Sequence, residues 1–168
     1  IDVSMLEALF EWMGYPLYYS YKGAEPPARA GASLAAIYPY GPFFAGDGKQ
    51  VILGLQNERE WKIFCEKVMG MSDLITDQRF VSNQLRSENR QLLKDMIHEV
   101  FGKMTSSEVC DLLDEVGIAN AKVNDMHDVW NHPQRREREN WTIVSSPVGN
   151  ISAFLPPGRN SSFEAVMN

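Results

Sequence analysis

The sequence predicts an α+β fold: a small domain with a short, mostly antiparallel sheet packed by helices, preceded by a helix and a linker that belong to a larger body. Three observations predict it. A proline-studded aromatic stretch and an apolar run flank the turn Gly46-Asp47-Gly48, which reads as a hairpin. Three amphipathic stripes with their own start and stop signals follow. The first twenty residues are apolar around most of a helical circumference, a pattern suited to burial inside something larger.

In chain order, Asp2 to Ser20 reads as the leading helix, with Leu6, Leu9, Phe10, Met13 and Leu17 at helical spacing. Val3, Met5, Trp12 and Tyr15 widen the apolar surface and leave Ser4, Glu7 and Glu11 as its polar strip. The rest of the chain does not supply enough surface to cover such a helix. Lys22 to Gly31, with Pro26 and Pro27, reads as an inter-domain linker, because paired prolines favour extended geometry. Ala32 to Phe44 reads as extended, and Pro39 and Pro42 confine it to a sheet edge or a loop. Gln50 to Leu55 reads as a strand buried on both faces.

Asn57 and Glu60 form a capping pattern for a helix whose stripe is Trp61, Phe64, Cys65, Val68 and Met69, stopped at Gly70. A second helix runs from about Glu88 to Lys103 on Leu93, Met96, Ile97, Val100 and Phe101. Thr105 and Glu108 make a capping box for a third, with Val109, Leu112, Leu113 and Val116 inward and Gly117 as its stop. Ile118 to Val123 reads as a short strand, Asp125 caps a brief helix through Trp130, and a charged helical turn follows His132-Pro133. Trp141 to Ser146 and Asn150 to Leu155 read as two strands, and Pro156-Pro157-Gly158 opens a second irregular linker. The expected organisation is residues 1–21 as a helix of the larger domain, 22–31 as linker, 32–140 as the small α+β domain, and 141–168 as final strands and a returning linker.

The 168 residues carry a net charge of −6. An acidic chain repels a phosphate backbone, so nucleic acid is not an expected partner. No apolar run is long enough to span a bilayer. The opening residues lack a signal-peptide pattern and an initiator methionine, and the chain is expected to be a fragment of a longer protein. Cys65 and Cys110 stand far apart, which suggests neither a disulfide framework nor a zinc site and fits a cytoplasmic setting. His98, His127 and His132 do not converge with other ligands, so no metal is expected; His98, among Lys94, Asp95 and Glu99, reads as exposed. Cys65 on a core stripe reads as inert, and Asp47 in its turn reads as structural. No catalytic residue is assigned.

The chemistry-bearing candidate is the stretch from Gly31 to Phe44, which mixes glycine, proline and aromatic residues outside any helix. It reads either as a twisted edge strand over the core or as a loop presenting Tyr38 and Tyr40, with Gly41, to a ligand in a cleft. Arg29, just upstream, is suited to an anionic group.

Several segments in order resemble the family III CoA-transferases. They are Asp2-Val3-Ser4-Met5-Leu6-Glu7-Ala8; Pro27-Ala28-Arg29-Ala30-Gly31; Tyr38-Pro39-Tyr40-Gly41-Pro42-Phe43 followed by Gly46-Asp47-Gly48; Thr76-Asp77-Gln78-Arg79-Phe80 with Asn83, Arg86 and Asn89-Arg90; and His132-Pro133-Gln134. The aromatic stretch and Leu55-Gln56-Asn57 look closest to members acting on short dicarboxylic acyl groups. The resemblance implies an α/β large domain, an interlocked homodimer, an acyl-CoA thioester and a carboxylic acid as substrates, and no cofactor. It implies a nucleophilic aspartate in the part of the large domain that precedes this helix. Where some members carry a glycine-rich lid, this chain has scattered glycines. Arg29, Tyr38, Tyr40 and Gly41 are the candidate substrate-binding residues. An α-methylacyl-CoA racemase, which shares the fold, and a non-catalytic binding module remain as alternatives.

Overall fold

The computed structural model describes residues 2–156 and 161–162. The chain divides into two units, Ile1–Val123 and Asn124–Asn168.

In the first unit, Ser4 caps helix α1 (Met5–Tyr19) by accepting from Glu7 N. The helix breaks where Gly14 takes φ 38° and ψ −125° just ahead of Pro16. This departs from the single helix expected, because a proline ring excludes the preceding helical turn and glycine alone tolerates that dihedral. Apolar side chains of α1 lie in the open: Trp12 is 89% exposed and Met5 83%.

Residues 24–39 hold no helix or strand. The extended reading of Ala32 to Phe44 therefore narrows to β1 (Tyr40–Phe44), which pairs antiparallel with β2 (Gln50–Gly54) in the register Tyr40↔Gly54 to Phe44↔Gln50. β2 also pairs antiparallel with β3 (Asn120–Lys122), giving the order β1-β2-β3. Pro42 thus sits on an edge strand, where its missing N–H breaks no ladder. β2 is not buried on both faces as expected: Val51 and Leu53 are buried while Ile52 is 38% exposed. Helices cover one face of the sheet, and the period of two turns Ile52 to the other.

The core is formed by Phe43, Val51 and Leu53 with residues from the helices behind the sheet. Helix α2 (Glu58–Ile63) starts at Asn57, whose Oδ1 accepts from Glu60 N at 3.0 Å, while the Glu60 carboxylate accepts from Gln56 N at 2.8 Å. It passes into a π turn, Phe64–Val68. Helices α3 (Asn83–Glu88) and α4 (Arg90–Phe101) meet at Asn89. Leu93, Ile97 and Phe101 of α4 are fully buried. Helix α5 (Ser106–Glu115) carries the Thr105–Glu108 capping box. Asp47 adds a long-range cap to it: its Oδ2 accepts from Ser106 N at 3.0 Å and from Ser106 Oγ at 2.8 Å. These bonds hold its carboxyl below the usual range. His98 is half-buried rather than exposed, because Phe43 and Phe44 pack against it and its Nε2 accepts from Phe44 N at 3.4 Å.

The second unit has α6 (Met126–Trp130), capped reciprocally by Asp125 and Asp128, then α7 (Pro133–Glu137) and the hairpin β4 (Trp141–Ser146) with β5 (Gly149–Phe154). Arg135 lies over the Trp130 and Trp141 rings, at 5.5 and 4.6 Å. Most of the irregular linker expected from Pro156 lies outside the described residues.

Candidate functional site: a side-chain-clamped loop and two clefts

The segment before β1 has few backbone partners of its own kind, so side chains must satisfy its polar groups. Asn83, Arg86 and Arg90 do so from α3 and α4. Tyr38 N donates to Asn83 Oδ1 at 3.1 Å, and Asn83 Nδ2 donates to Ala36 O at 2.8 Å. An Arg90 guanidinium nitrogen donates to Leu34 O at 3.3 Å and Ala35 O at 3.2 Å. Arg86 Nε donates to Tyr38 O at 3.2 Å.

Arg86 is the centre of this arrangement. It is 4% exposed, lies 4.7 Å from the centroid of the Trp61 ring, and also donates to Phe80 O at 3.0 Å. Its two terminal nitrogens meet the Glu58 carboxylate at 3.0 and 2.7 Å. A planar five-donor cation can satisfy carbonyls and a carboxylate together, which explains an arginine in an otherwise apolar core. The sequence reading did not single these three residues out as a clamp. Their spacing, Asn83, Arg86 and Arg90, was the available signal, since positions three and seven apart share a helical face.

Two clefts open beside the clamped loop. The larger, about 550 Å³, is lined by Tyr19, Glu25, Pro27, Ala28 and Arg29 from the linker side and by Ala35, Ala36, Ser87 and Arg90 opposite. The smaller, about 220 Å³, is lined by Arg29, Ala30, Ser33, Tyr38, Pro42, Phe43, Arg90, Gln91 and Lys94. Arg29 and Arg90 line both. Arg90 also stacks on the Tyr38 ring, 5.0 Å from its centroid. Tyr38 is 4% exposed, and its hydroxyl has no hydrogen-bond partner. Burial pushes its ionisation far above the ordinary range, so the group stays an O–H donor.

Of the four candidate residues, Arg29 and Tyr38 come to the same small cleft. Gly41 stands behind it. At φ 147° it lets the strand pass so near Ser33 that a Cβ there would lie 2.8 Å from Ser33 Cα. Tyr40 lines neither cleft; its ring lies across its strand partner Gly54, where a Cβ would meet it at 2.7 Å. Arg90 and Lys94 join the site from α4, where a helical pattern alone marks them as ordinary polar positions.

Neither cysteine is poised to act as a nucleophile. Burial pushes the Cys65 thiol up to about 12 and raises that of Cys110. Among the described residues, no group of three or more His, Cys, Asp or Glu is placed to hold a metal ion. Among the same residues, no helix is long and apolar enough to cross a membrane.

A mixed fold with small antiparallel sheets and a cation-lined cleft beside a clamped loop defines the chain as an α+β protein. The sequence profile described as CoA-transferase family III matches residues 1–168, and the chain belongs to that family. It is similar to the acetyl-CoA:oxalate CoA-transferase of Acetobacter aceti, with 29% identity over 148 residues, covering 88% of this chain and 37% of that protein. It is similar to the succinyl-CoA:glutarate CoA-transferase of Homo sapiens, with 26% identity over 165 residues, covering 98% of this chain and 37% of that one. The fold matches the D175A mutant of Rv3272 from Mycobacterium tuberculosis with a TM-score of 0.78, at 22% identity over 99% of this chain and 42% of the other. It also matches a CAIB/BAIF family protein from Brucella suis with a TM-score of 0.77, at 23% identity over 99% and 42% of the two chains. The chain thus spans well under half the length of these relatives.

Proposed function

We propose that these residues are the small-domain portion of an enzyme that moves CoA between an acyl-CoA thioester and a short dicarboxylic acid. In this reading residues 1–21 are a helix of the large domain, 22–31 the outgoing linker, 32–140 the small domain and 141–168 the final strands and return. The open apolar surface of α1 supports it, since Trp12 and Met5 gain stability only against another body. Relatives named for oxalate, glutarate and mesaconate support the acid class. The observation that carries the reading is the cleft that brings Arg29 and Tyr38 together beside a rigidly held loop in a chain of this family.

The chemistry follows the family resemblance. An enzyme carboxylate attacks the thioester carbonyl, forms a mixed anhydride and releases the CoA thiolate. The thiolate attacks the enzyme-side carbonyl, freeing the donor acid and leaving an enzyme-bound CoA thioester. The acceptor carboxylate repeats the two steps and leaves with CoA, and the enzyme carboxylate is regenerated. Covalent catalysis of this kind divides one hard displacement into easier ones. The nucleophilic aspartate belongs to the large domain, outside these residues, and the enzyme works as a homodimer. Arg29, Tyr38, Gly41 and Tyr40 shape the acyl pocket, the first two directly and the others by fixing the backbone of β1. A CoA thioester substrate and two buried free cysteines fit a reducing, cytoplasmic setting.

The test is CoA exchange between succinyl-CoA and a panel of dicarboxylic acids. The full-length protein is expected to turn over and the 168-residue chain alone to be inactive. Robust turnover by the chain alone overturns the assignment of the nucleophile to the large domain.

A further inference from the structure

The smaller cleft has a chemical character that the proposed acyl pocket does not by itself require. Its lining includes three cationic side chains, Arg29, Arg90 and Lys94, and no carboxylate. The nearby acid on the same helix, Asp95, is engaged at 2.8 Å by Gln91 Nε2. Arg90 spends one nitrogen on the carbonyls of Leu34 and Ala35 and its face on Tyr38, so it is fixed in place. The Tyr38 side chain lines the same cleft, more than nine-tenths buried, and its hydroxyl is without an acceptor. A buried donor left unpaired is costly, and a charged acceptor is the strongest partner for it. The cleft, about 220 Å³, has room for one oxyanion and a short carbon stem.

We propose that this cleft is an oxyanion subsite in which Lys94 Nζ and the Arg29 guanidinium hold the charge, the Tyr38 hydroxyl donates to it, and Arg90 positions the Tyr38 ring. The inference rests on the proposed transferase function for its biological ligand. Two sources share the chemistry: the distal carboxylate of a short dicarboxylic acyl group, and the 3′-phosphate of the CoA thioester.

The experiment has an enzymatic arm and a binding arm. In the full-length enzyme, Lys94→Met is expected to raise KM for a dicarboxylic acceptor at least tenfold while leaving KM and kcat for a monocarboxylic acceptor of equal length unchanged; that result assigns the carboxylate. A rise in KM for the CoA thioester that vanishes with the 3′-dephospho thioester assigns the phosphate. Lys94→Arg is expected to restore most of either loss. A uniform loss across all substrates with the 3′-dephospho thioester included, or no change in any, overturns the subsite. In the binding arm, succinate and inorganic phosphate are titrated separately into the isotopically labelled full-length protein. Saturable shifts of the Tyr38 and Lys94 resonances with either anion, lost in Lys94→Met and weakened in Tyr38→Phe, support the subsite even if the enzyme transfers no CoA. If neither anion moves these resonances, the subsite fails whatever the reaction is. Circular dichroism of each variant shows that a lost response reflects binding and not unfolding.

Discussion

Replacing Arg86 with methionine keeps an unbranched stem of similar bulk against Trp61 and removes the guanidinium. Four hydrogen bonds go with it: to Tyr38 O, Phe80 O and both Glu58 oxygens. The two carbonyls lie inside and regain no partner, and each such orphan costs about 1–3 kcal/mol. The Glu58 side chain is 59% exposed and rehydrates, so the ion pair itself adds no more than about 1 kcal/mol. Loss of the cation over the Trp61 ring adds roughly another 1 kcal/mol. These contributions sum to about 3–8 kcal/mol, so a destabilisation of at least about 3 kcal/mol is expected. Glu58→Gln, which leaves both carbonyl bonds in place, is expected to cost about 1 kcal/mol or less. Urea unfolding followed by tryptophan fluorescence measures both, since Trp61 sits directly against the altered group. The contrast between the two variants is the informative quantity. If Arg86→Met falls within about 0.5 kcal/mol of wild type, or if Glu58→Gln costs as much as it does, the clamp is not what holds residues 34–38.

Asp47→Asn removes a charged cap from α5 and lowers the melting temperature at pH 7. Because the folded carboxyl sits below its unfolded value, its contribution is complete above the unfolded pKa of about 3.9 and fades as pH falls through the folded value, so the gap between the two proteins narrows in melts taken at successively lower pH below that point. Cys65, with its thiol pushed up to about 12, is expected to resist alkylation by iodoacetamide at pH 8 in the native chain and to react fast in urea, as mass spectrometry reports. Gly41→Ala combines a φ of 147° with a Cβ 2.8 Å from Ser33 Cα, and is expected to cost on the order of 2 kcal/mol and to displace Ser33 from the cleft wall, visible as shifted Ser33 and Leu34 amide resonances.

Much of the first unit is legible in the sequence because its signals are local. Thr105 and Glu108 meet across one helical turn, and Gly46-Asp47-Gly48 lies between its two strands, so a window of ten residues contains the cause and the effect. The kink at Gly14-Pro16 was equally local, but the dense apolar spacing around it argued for an unbroken helix. Which face of β2 is covered depends on where α4 and α5 pack, so Ile52 could not be told from Val51 by type. The clamp depends on contacts between residues 28 to 56 positions apart, such as Arg86 with Glu58 and Arg90 with Leu34. An arginine in a polar pattern reads as solvent-facing unless its carbonyl partners are already in place. Arg29 and Tyr38, which line the same small cleft, stand out in the sequence because a cation beside an irregular aromatic loop is unusual composition. Lys94, on the wall of that cleft, does not stand out, because an exposed lysine on an amphipathic helix is ordinary composition.

The measurement that tests the central claim most directly uses the full-length enzyme with two substrates in parallel. One vessel holds succinyl-CoA and a short dicarboxylic acid; the other holds a single enantiomer of a 2-methylacyl-CoA and no acceptor acid. The proposed transferase function predicts appearance of the new dicarboxylic CoA thioester in the first and no loss of optical purity in the second. Inversion in the second vessel with no exchange in the first would contradict it and place the protein's chemistry at the α-carbon instead of the thioester.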